Sequence, residues 1–337
     1  MAVNAKTIET YDNPVIAEDL STQYSMLSPE EVPFQTAIGK ADPAKQPHHE
    51  WTIMELAAPD PNNRVIEGDD APPVDDANFP NTVGNYTQIS DKRIKVSHTS
   101  EASDSKVVDI HKLAKQMALK LREMKRDKEV MLLSNVAANP GASGTARIAA
   151  GMPAWLRTNT DGGAGGADPT LSGGETGHPD APRTVGTLRQ LTEDMFSGMI
   201  AQAWENGGEP SLAMVTAKNK TLISNTFTGA STRYKDAVDK TLVNAVDVYE
   251  SDFGQVTIVP NRFQPVLNPG AAAAAQAHYV LFLDPDYAGV SYLEGVKQKP
   301  LAETGHSKDR LAWCEYTLQV DNEAAHGIIA DLTNGEP

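Results

Sequence analysis

The sequence predicts an α+β fold that leans on other copies of itself, and three observations carry that prediction. Residues 57–85 are acidic, proline-rich and sparse in large apolar side chains, with Asp60, Glu67, Asp69, Asp70, Asp75 and Asp76 set against the single base Arg64. Residues 101–138 then read as one long, basic, amphipathic helix. Short strands and shorter helices follow, ending in an alternating run at 311–320. A segment that cannot make its own core is either disordered or laid across a partner. A helix of that length is well beyond the usual three or four turns.

The elements follow in chain order. Residues 1–45 are broken by Pro14, Pro29, Pro33 and Pro43, with Leu20, Tyr24 and Leu27 at helical spacing and Phe34 and Ile38 suggesting a second short turn. This stretch reads as an arm that packs on something. Residues 50–56 read as a strand. A second lies within 85–98, with Ile94, Val96 and His98 on one face and Arg93, Lys95 and Ser97 on the other. Joined by the acidic loop, the two make a hairpin. An isolated hairpin is at best marginally stable in water, so it needs a surface to lie on.

The helix over 101–138 has Ser103 or Asp104 as its cap. Val107, Ile110, Leu113, Met117, Leu121, Met124 and Met131 form its apolar stripe, and Asn139-Pro140-Gly141 stops it. Continuous, it is roughly 55 Å long, against about 50 Å for a compact sphere of the whole chain, which implies a flattened or extended shape. A break near 131–135 is the alternative. Residues 139–186, with Gly162, Gly163, Gly165 and Gly166, read as a long surface loop. A helix over 188–206 has Thr187 and Gln190 as a capping box and stops at Asn206-Gly207-Gly208. Then come a strand at 211–216, a helix at 217–227, strands near 243–250 and 255–260, and a buried central strand at 278–284. Strands at 311–320, where Ala312, Cys314, Tyr316, Leu318 and Val320 alternate, and at 326–332 close the order.

Composition narrows the function. Of 337 residues, 45 are acidic and 29 basic, a net charge of -16, which makes a poor generic binder of DNA phosphates. If the protein encloses nucleic acid, it does so without adhering to it. Cys314 is the single cysteine, so no intramolecular disulfide forms, which fits a reducing compartment. The start Met1-Ala2-Val3-Asn4 lacks a basic start followed by an apolar run, so no secretory signal is expected. No segment approaches the roughly 20 apolar residues of a membrane helix. The glycine run 162–166 lacks the Lys-Ser/Thr of a phosphate loop, and His48-His49-Glu50 lacks a second His at helical spacing for zinc. Asp284-Pro285-Asp286 reads as a turn after a strand, and Cys314 as a buried, inert thiol. No catalytic, cofactor-binding or metal-binding residue is assigned, and no cofactor is expected. A hydrolase built on scattered acids is the remaining enzymatic alternative.

The order of parts, from arm through extended loop and long helix to a central α/β region and returning strands, resembles the major capsid protein of tailed bacteriophages, the Hong Kong 97-like fold. The wording Phe34-Gln35-Thr36-Ala37-Ile38-Gly39, the 49–56 strand, Val65-Ile66-Glu67-Gly68, Gln88-Ile89-Ser90 and the ending 311–329 are similar to one subfamily of phage head proteins. The resemblance implies an N-terminal arm at 1–45 and an extended loop at 46–98. It further implies a peripheral domain at 99–140 and 301–337 with the helix as its spine, and an axial domain at 141–300. It also implies pentamers and hexamers in an icosahedral shell around a double-stranded DNA genome, a virion location with assembly in the bacterial cytoplasm, and scaffolding, decoration and portal partners. The absence of a long N-terminal extension implies a separate scaffolding protein or a processed form, and the initiating Met favours the first. Some relatives crosslink Lys to Asn, but no partner for Lys92 is evident and no crosslink is expected. A nanocompartment shell of the same fold, an encapsulin, shares every one of these features.

The charge contrast suggests how copies meet. Residues 57–85 carry five net negative charges, whereas eight bases face six acids in 101–138. The expectation is that Asp69, Asp70, Asp75 and Asp76 lie over Lys120, Arg122, Lys125 and Arg126 of a neighbour. Exposed ion pairs contribute about 0–1 kcal/mol each, so charge sets register while buried apolar area, at about 25 cal/mol per Å², supplies adhesion.

Overall fold

A computed structural model describes residues 29–54, 56, 59–64, 66–68, 70, 79–103, 112–227, 235–236, 241–242 and 246–334. In chain order the elements are α1 (Pro33–Ile38), β1 (His48–Ile53), β2 (Asn81–Tyr86), β3 (Gln88–Ser97), α2 (His98–Ala102) and α3 (Leu113–Leu132). Then come β4 (Thr160–Asp161), β5 (Thr170–Leu171), β6 (Pro179–Ala181), α4 (Glu193–Glu205), β7 (Leu212–Val215) and α5 (Ala217–Thr226). They are followed by β8 (Lys235–Asp236), β9 (Thr241–Leu242), β10 (Val248–Ser251), β11 (Gly254–Pro260) and β12 (His278–Leu283). The long hairpin β13 (Ala288–Pro300) and β14 (Ser307–Val320) and the final β15 (Gly327–Leu332) complete the chain.

A six-stranded sheet in the order β10-β11-β7-β12-β15-β4 forms the centre. Its central strands β7, β12 and β15 are apolar on both faces, as a doubly covered sheet requires. On one face Ala213, Val215, Val280, Phe282 and Ile329 pack under α4 and α5 with Phe196, Met199 and Ile223. On the other, Met214, Tyr279, Leu281, Leu283 and Ile328 join a core that runs through α3 to the second sheet. That second sheet is β13-β14-β3. Of the alternation read over 311–320, the apolar set Ala312, Cys314, Tyr316, Leu318 and Val320 is buried, but Glu315, Thr317 and Gln319 between them are buried as well. α3 lies across this sheet with Met117 and Met124 inward, and Cys314 Sγ sits 3.8 Å from Met124 Sδ.

Several expectations are corrected. Among the described residues the helix over 101–138 is interrupted. Ser103 and Lys112 have extended backbone (ψ 144 and ψ 140), so α3 starts at Leu113 and spans about 30 Å. Ser97, not Ser103, caps α2, accepting from the Ser100 N–H; Asp104, Val107 and Ile110 lie outside the described residues. α3 ends at Leu132, because Leu132 and Leu133 are both buried and Ser134 turns back onto the Met131 carbonyl. The polar Lys128 and Glu129 are buried against the stripe expectation, and each is satisfied: Lys128 Nζ donates to Tyr292 Oη at 2.9 Å.

The hairpin partner also changes. β1 pairs with β2, Trp51 opposite Val83, while β3 pairs with β14 along its whole length. Residues 139–186 are no flexible loop. Ala149, Ala150, Met152, Trp155 and Leu156 are core residues, and Gly151 packs so closely that a Cβ would lie 2.1 Å from the Ser134 carbonyl oxygen. The helix read from 188 starts at Glu193 instead, capped by Thr192. The preceding Arg189 is held as extended chain, its N–H on the Asp331 carbonyl and its carbonyl accepting from Thr333. β13 and β14 form one hairpin across position 300, and β15 belongs to the six-stranded sheet through β12.

Candidate assembly surface

The residues expected to bind a neighbour are the first to place. Asp69, Asp75 and Asp76 lie outside the described residues; Asp70 is exposed in the loop between β1 and β2. On α3, Lys120 Nζ is bonded to Glu123 (2.8 Å), one turn on. Arg122 Nη1 reaches Glu30 of the arm at 2.7 Å, and the Arg126 guanidinium stacks over the Phe263 ring at 5.0 Å. Lys125 is exposed, and its carbonyl accepts from Gln35 Nε2. The basic face is thus largely engaged inside the protomer. Sequence spacing gave no sign of this, because Glu30 and Phe263 are far away along the chain.

The base of the extended loop rests on its own protomer, so part of the surface that the hairpin needs is supplied within one chain. Trp51 Nε1 donates to the Val320 carbonyl at 2.8 Å, and its ring lies 5.4 Å from that of Trp155. His49 Nε2 is 2.8 Å from Gln319 Oε1, and the Gly84 N–H donates to the Gly177 carbonyl at 2.8 Å. Buried Asn85 donates to the Leu318 carbonyl and accepts from the Ala150 N–H. His48 stacks on Tyr86, and His178 meets that ring edge-on at 5.1 Å. Burial, then the nearby His48, holds the His178 pKa below the usual imidazole value.

Beyond this base the loop exposes large apolar side chains: Met54 is 64% exposed, Leu56 86%, Ile66 77% and Phe79 82%. Concentrated apolar exposure of this sort marks an interaction site on a soluble chain. A groove of about 540 Å³ lies between the end of α3 and β3, lined by Ile89, Val130, Met131, Val136 and Ile148 with Asp127 and Arg147 at its rim. Ile89 and Val130 are themselves exposed. One chain therefore carries both an apolar projection and an apolar recess.

The arm is fixed by one carboxylate. Glu129, buried in α3, accepts from the Phe34 N–H (2.7 Å), the Gln35 N–H (3.0 Å), Gln35 Nε2 (3.0 Å) and Asn261 Nδ2 (2.8 Å). A buried charge persists only when it is fully hydrogen-bonded. Here it joins arm, helix and central sheet at one point, while Phe34 and Ile38 fill the core beside it. Among the described residues no group of three or more metal-ligating side chains comes together, and no helix is long and apolar enough to cross a membrane.

The chain matches the family model described as SU10 major capsid protein over residues 4–333. Comparison with curated protein sequences gives no match. Among solved structures it is similar to the capsid of a native GTA particle, with a TM-score of 0.58 at 10% identity over 98% of this chain and 100% of that one. It is similar to a chain of Mycobacterium phage Che8, with a TM-score of 0.56 at 11% identity over 96% and 99%. It is also similar to the encapsulin of a holo-SrpI complex from Synechococcus elongatus, with a TM-score of 0.53 at 10% identity over 95% and 94%. At such identities these structures speak for the fold alone.

Proposed function

Because the chain belongs to the SU10 major capsid protein family, and is a shell-building rather than an enzymatic protein, we propose that its copies form pentamers and hexamers in an icosahedral shell around a double-stranded DNA genome. The full-length family match is the observation that carries this reading. The peripheral part is assigned to α3 with the sheet β13-β14-β3, and the axial part to the six-stranded sheet with α4 and α5. This keeps each hydrogen-bonded ladder in one piece. Residues 1–45 act as the arm and 46–87 as the extended loop, with β3 counted in the peripheral part.

The loop tip of one copy reaches a neighbour, with Met54, Leu56, Ile66 and Phe79 covered by the recess at Ile89 and Val130. The acidic residues Asp69, Asp70, Asp75 and Asp76 approach the neighbour's Lys120, Arg122, Lys125 and Arg126. Since three of those bases already have partners in their own protomer, charge sets register more than strength. A net charge of -16 suits a wall that contains DNA without binding it tightly. Scaffolding, portal and decoration proteins complete the particle, which is assembled in the host cytoplasm.

Electron microscopy of the expressed full chain tests the proposal. Closed shells or capsomers support it, and a small, compact oligomer at every concentration refutes it. The nucleic acid content of nuclease-treated particles from infected cells separates a genome container from an encapsulin-type compartment.

A further inference from the structure

The six-stranded sheet differs in character at its two ends. β7 and β11 run parallel and β12 runs against them, so the starts of β7 and β11 lie beside the end of β12. There the end of α4 and the turn between β10 and β11 bring Trp204 and Phe253 together, their ring centroids 5.2 Å apart. Trp204 is 52% exposed and Phe253 41%. With Ile200, Pro210 and Val256 the two rings border a notch of about 170 Å³. Carboxylates gather at the same end: Glu205, Glu209, Asp252 and Asp286 are exposed and Asp284 is half-buried. Among the described residues none of the five is in an ion pair. Burial, together with the charges of Asp286 and Glu209, holds the Asp284 carboxyl above its usual range.

The opposite end is basic. Arg262 follows β11 and is exposed, and among the described residues it forms no ion pair. The Asn261 N–H donates to the Val215 carbonyl at 2.9 Å, which fixes the turn that presents it beside the start of α5. The nearby carboxylates are engaged elsewhere: Asp247 with Lys220 at 3.2 Å, and Glu129 with the arm and Asn261. β11 has seven residues, so roughly 20 Å of strand separates Phe253 from Arg262. That span is beyond one arginine side chain, and Arg262 cannot meet the aromatic pair of its own protomer.

An exposed aromatic pair among carboxylates is suited to a guanidinium, which is drawn to ring faces and acids together. Trp and Arg are also the side chains that most often anchor an interface. Segments of the same chain that lie wholly or partly outside the described residues carry the wrong charge: 1–28 has Lys6 against Glu9, Asp12, Glu18 and Asp19, and 57–85 has five net negative charges. A second copy offers the matching basic end. We propose that Arg262 of one copy seats on the Trp204–Phe253 notch of the next, a head-to-tail contact between neighbouring six-stranded sheets. Its two faces differ, so the contact is heterologous and propagates until a ring closes. It rests on the shell reading, in which rings of five and six copies form, and it names the residues that join them.

Crosslinking of two purified full-length variants tests the contact. Ser211→Cys places a thiol at the notch and Ala217→Cys one beside Arg262, both at exposed positions, while Cys314 is buried and stays unlabelled. With a short bis-maleimide, the mixture is expected to give linked pairs at about tenfold the yield of either variant alone. Adding Arg262→Glu to the Ala217→Cys chain should cut that yield about tenfold, as loss of an anchor does. Adding Glu205→Arg and Glu209→Arg to the Ser211→Cys chain should then restore it. Circular dichroism melts confirm that each chain is folded; if a reversed chain melts early, Arg262→Gln, expected to cut the yield about threefold, takes its place. Equal yields in single and mixed samples, no effect of Arg262 substitution, or no restoration overturns the proposal. Light scattering of the parental chain separates the two readings: shells without the mixed pair overturn this contact alone, and the mixed pair without shells upholds it and overturns the shell.

Discussion

Replacing Leu56 and Phe79 together by serine removes the two most exposed large apolar side chains of the extended loop without touching its anchored base. Both are more than four-fifths exposed, so nearly all their apolar area is available to a neighbour. Full burial of a side chain of either type stabilises by about 1.5–3 kcal/mol, which gives roughly 3–6 kcal/mol per loop contact. Holding a free partner opposes this by about 4–15 kcal/mol, so a single contact is weak and only a ring of them closes. At about 1.4 kcal/mol per tenfold, the double variant raises the concentration needed for assembly by on the order of 10²–10⁴-fold. Light scattering against protein concentration measures that threshold, and a circular dichroism melt of the protomer provides the control. The melt is expected to hold within about 0.5 kcal/mol, as for other surface changes. Shells at the parental threshold would refute the assignment of the tip as adhesive. An equally large fall in protomer stability would show that these residues serve their own fold.

Other outcomes follow from the same geometry. Reversing Asp69, Asp70, Asp75 and Asp76 to Lys is expected to block assembly while leaving a soluble protomer; size-exclusion chromatography reads this, and normal particles would dismiss the charge contact. Glu129→Ala leaves the Phe34 and Gln35 amides and Asn261 Nδ2 without their acceptor, and at about 1–3 kcal/mol for each unmet group the loss should exceed about 3 kcal/mol by urea unfolding. Gly151→Ala drives a Cβ to 2.1 Å from the Ser134 carbonyl oxygen; overpacking of this kind typically costs about 1–3 kcal/mol, read as a lower Tm. His326 is buried, its Nδ1 accepting from the Asp284 N–H at 3.2 Å, and burial lowers its pKa from 6.5 to about 4. The unfolded chain therefore binds this proton first as pH falls, so stability is full above about 6.5 and is lost progressively down to about 4. The loss is on the order of 3 kcal/mol at 1.36 kcal/mol per pKa unit. In His326→Asn this part of the pH dependence of unfolding should be absent.

Much of the architecture is legible in the sequence, because it rests on local periodicity. The strands at 212–215, 254–260, 278–283, 307–320 and 327–332 and the helices at 193–205 and 217–226 fall within or beside their predicted spans. Alternating or continuous apolar runs leave the chain few other ways to bury them. The acidity of the loop between β1 and β2 was equally visible in composition. Tertiary structure decided the rest, wherever the deciding contact lies far away in sequence. Strand 81–86 carries Asn, Thr and Gly, and it is a strand only because Trp51 faces Val83 and Asn85 is satisfied by Leu318 and Ala150. Within the stretch after the helix, residues 149–156 are core because Gly151 admits close backbone approach, which no pattern there announces. Glu129 reads as one more charge on a solvated helix until the arm folds back and presents its amides. Period and composition settle which segments must bury a face; which face of the remaining chain receives them is a matter of long-range hydrogen bonds and packing, and those exist only once the chain has closed.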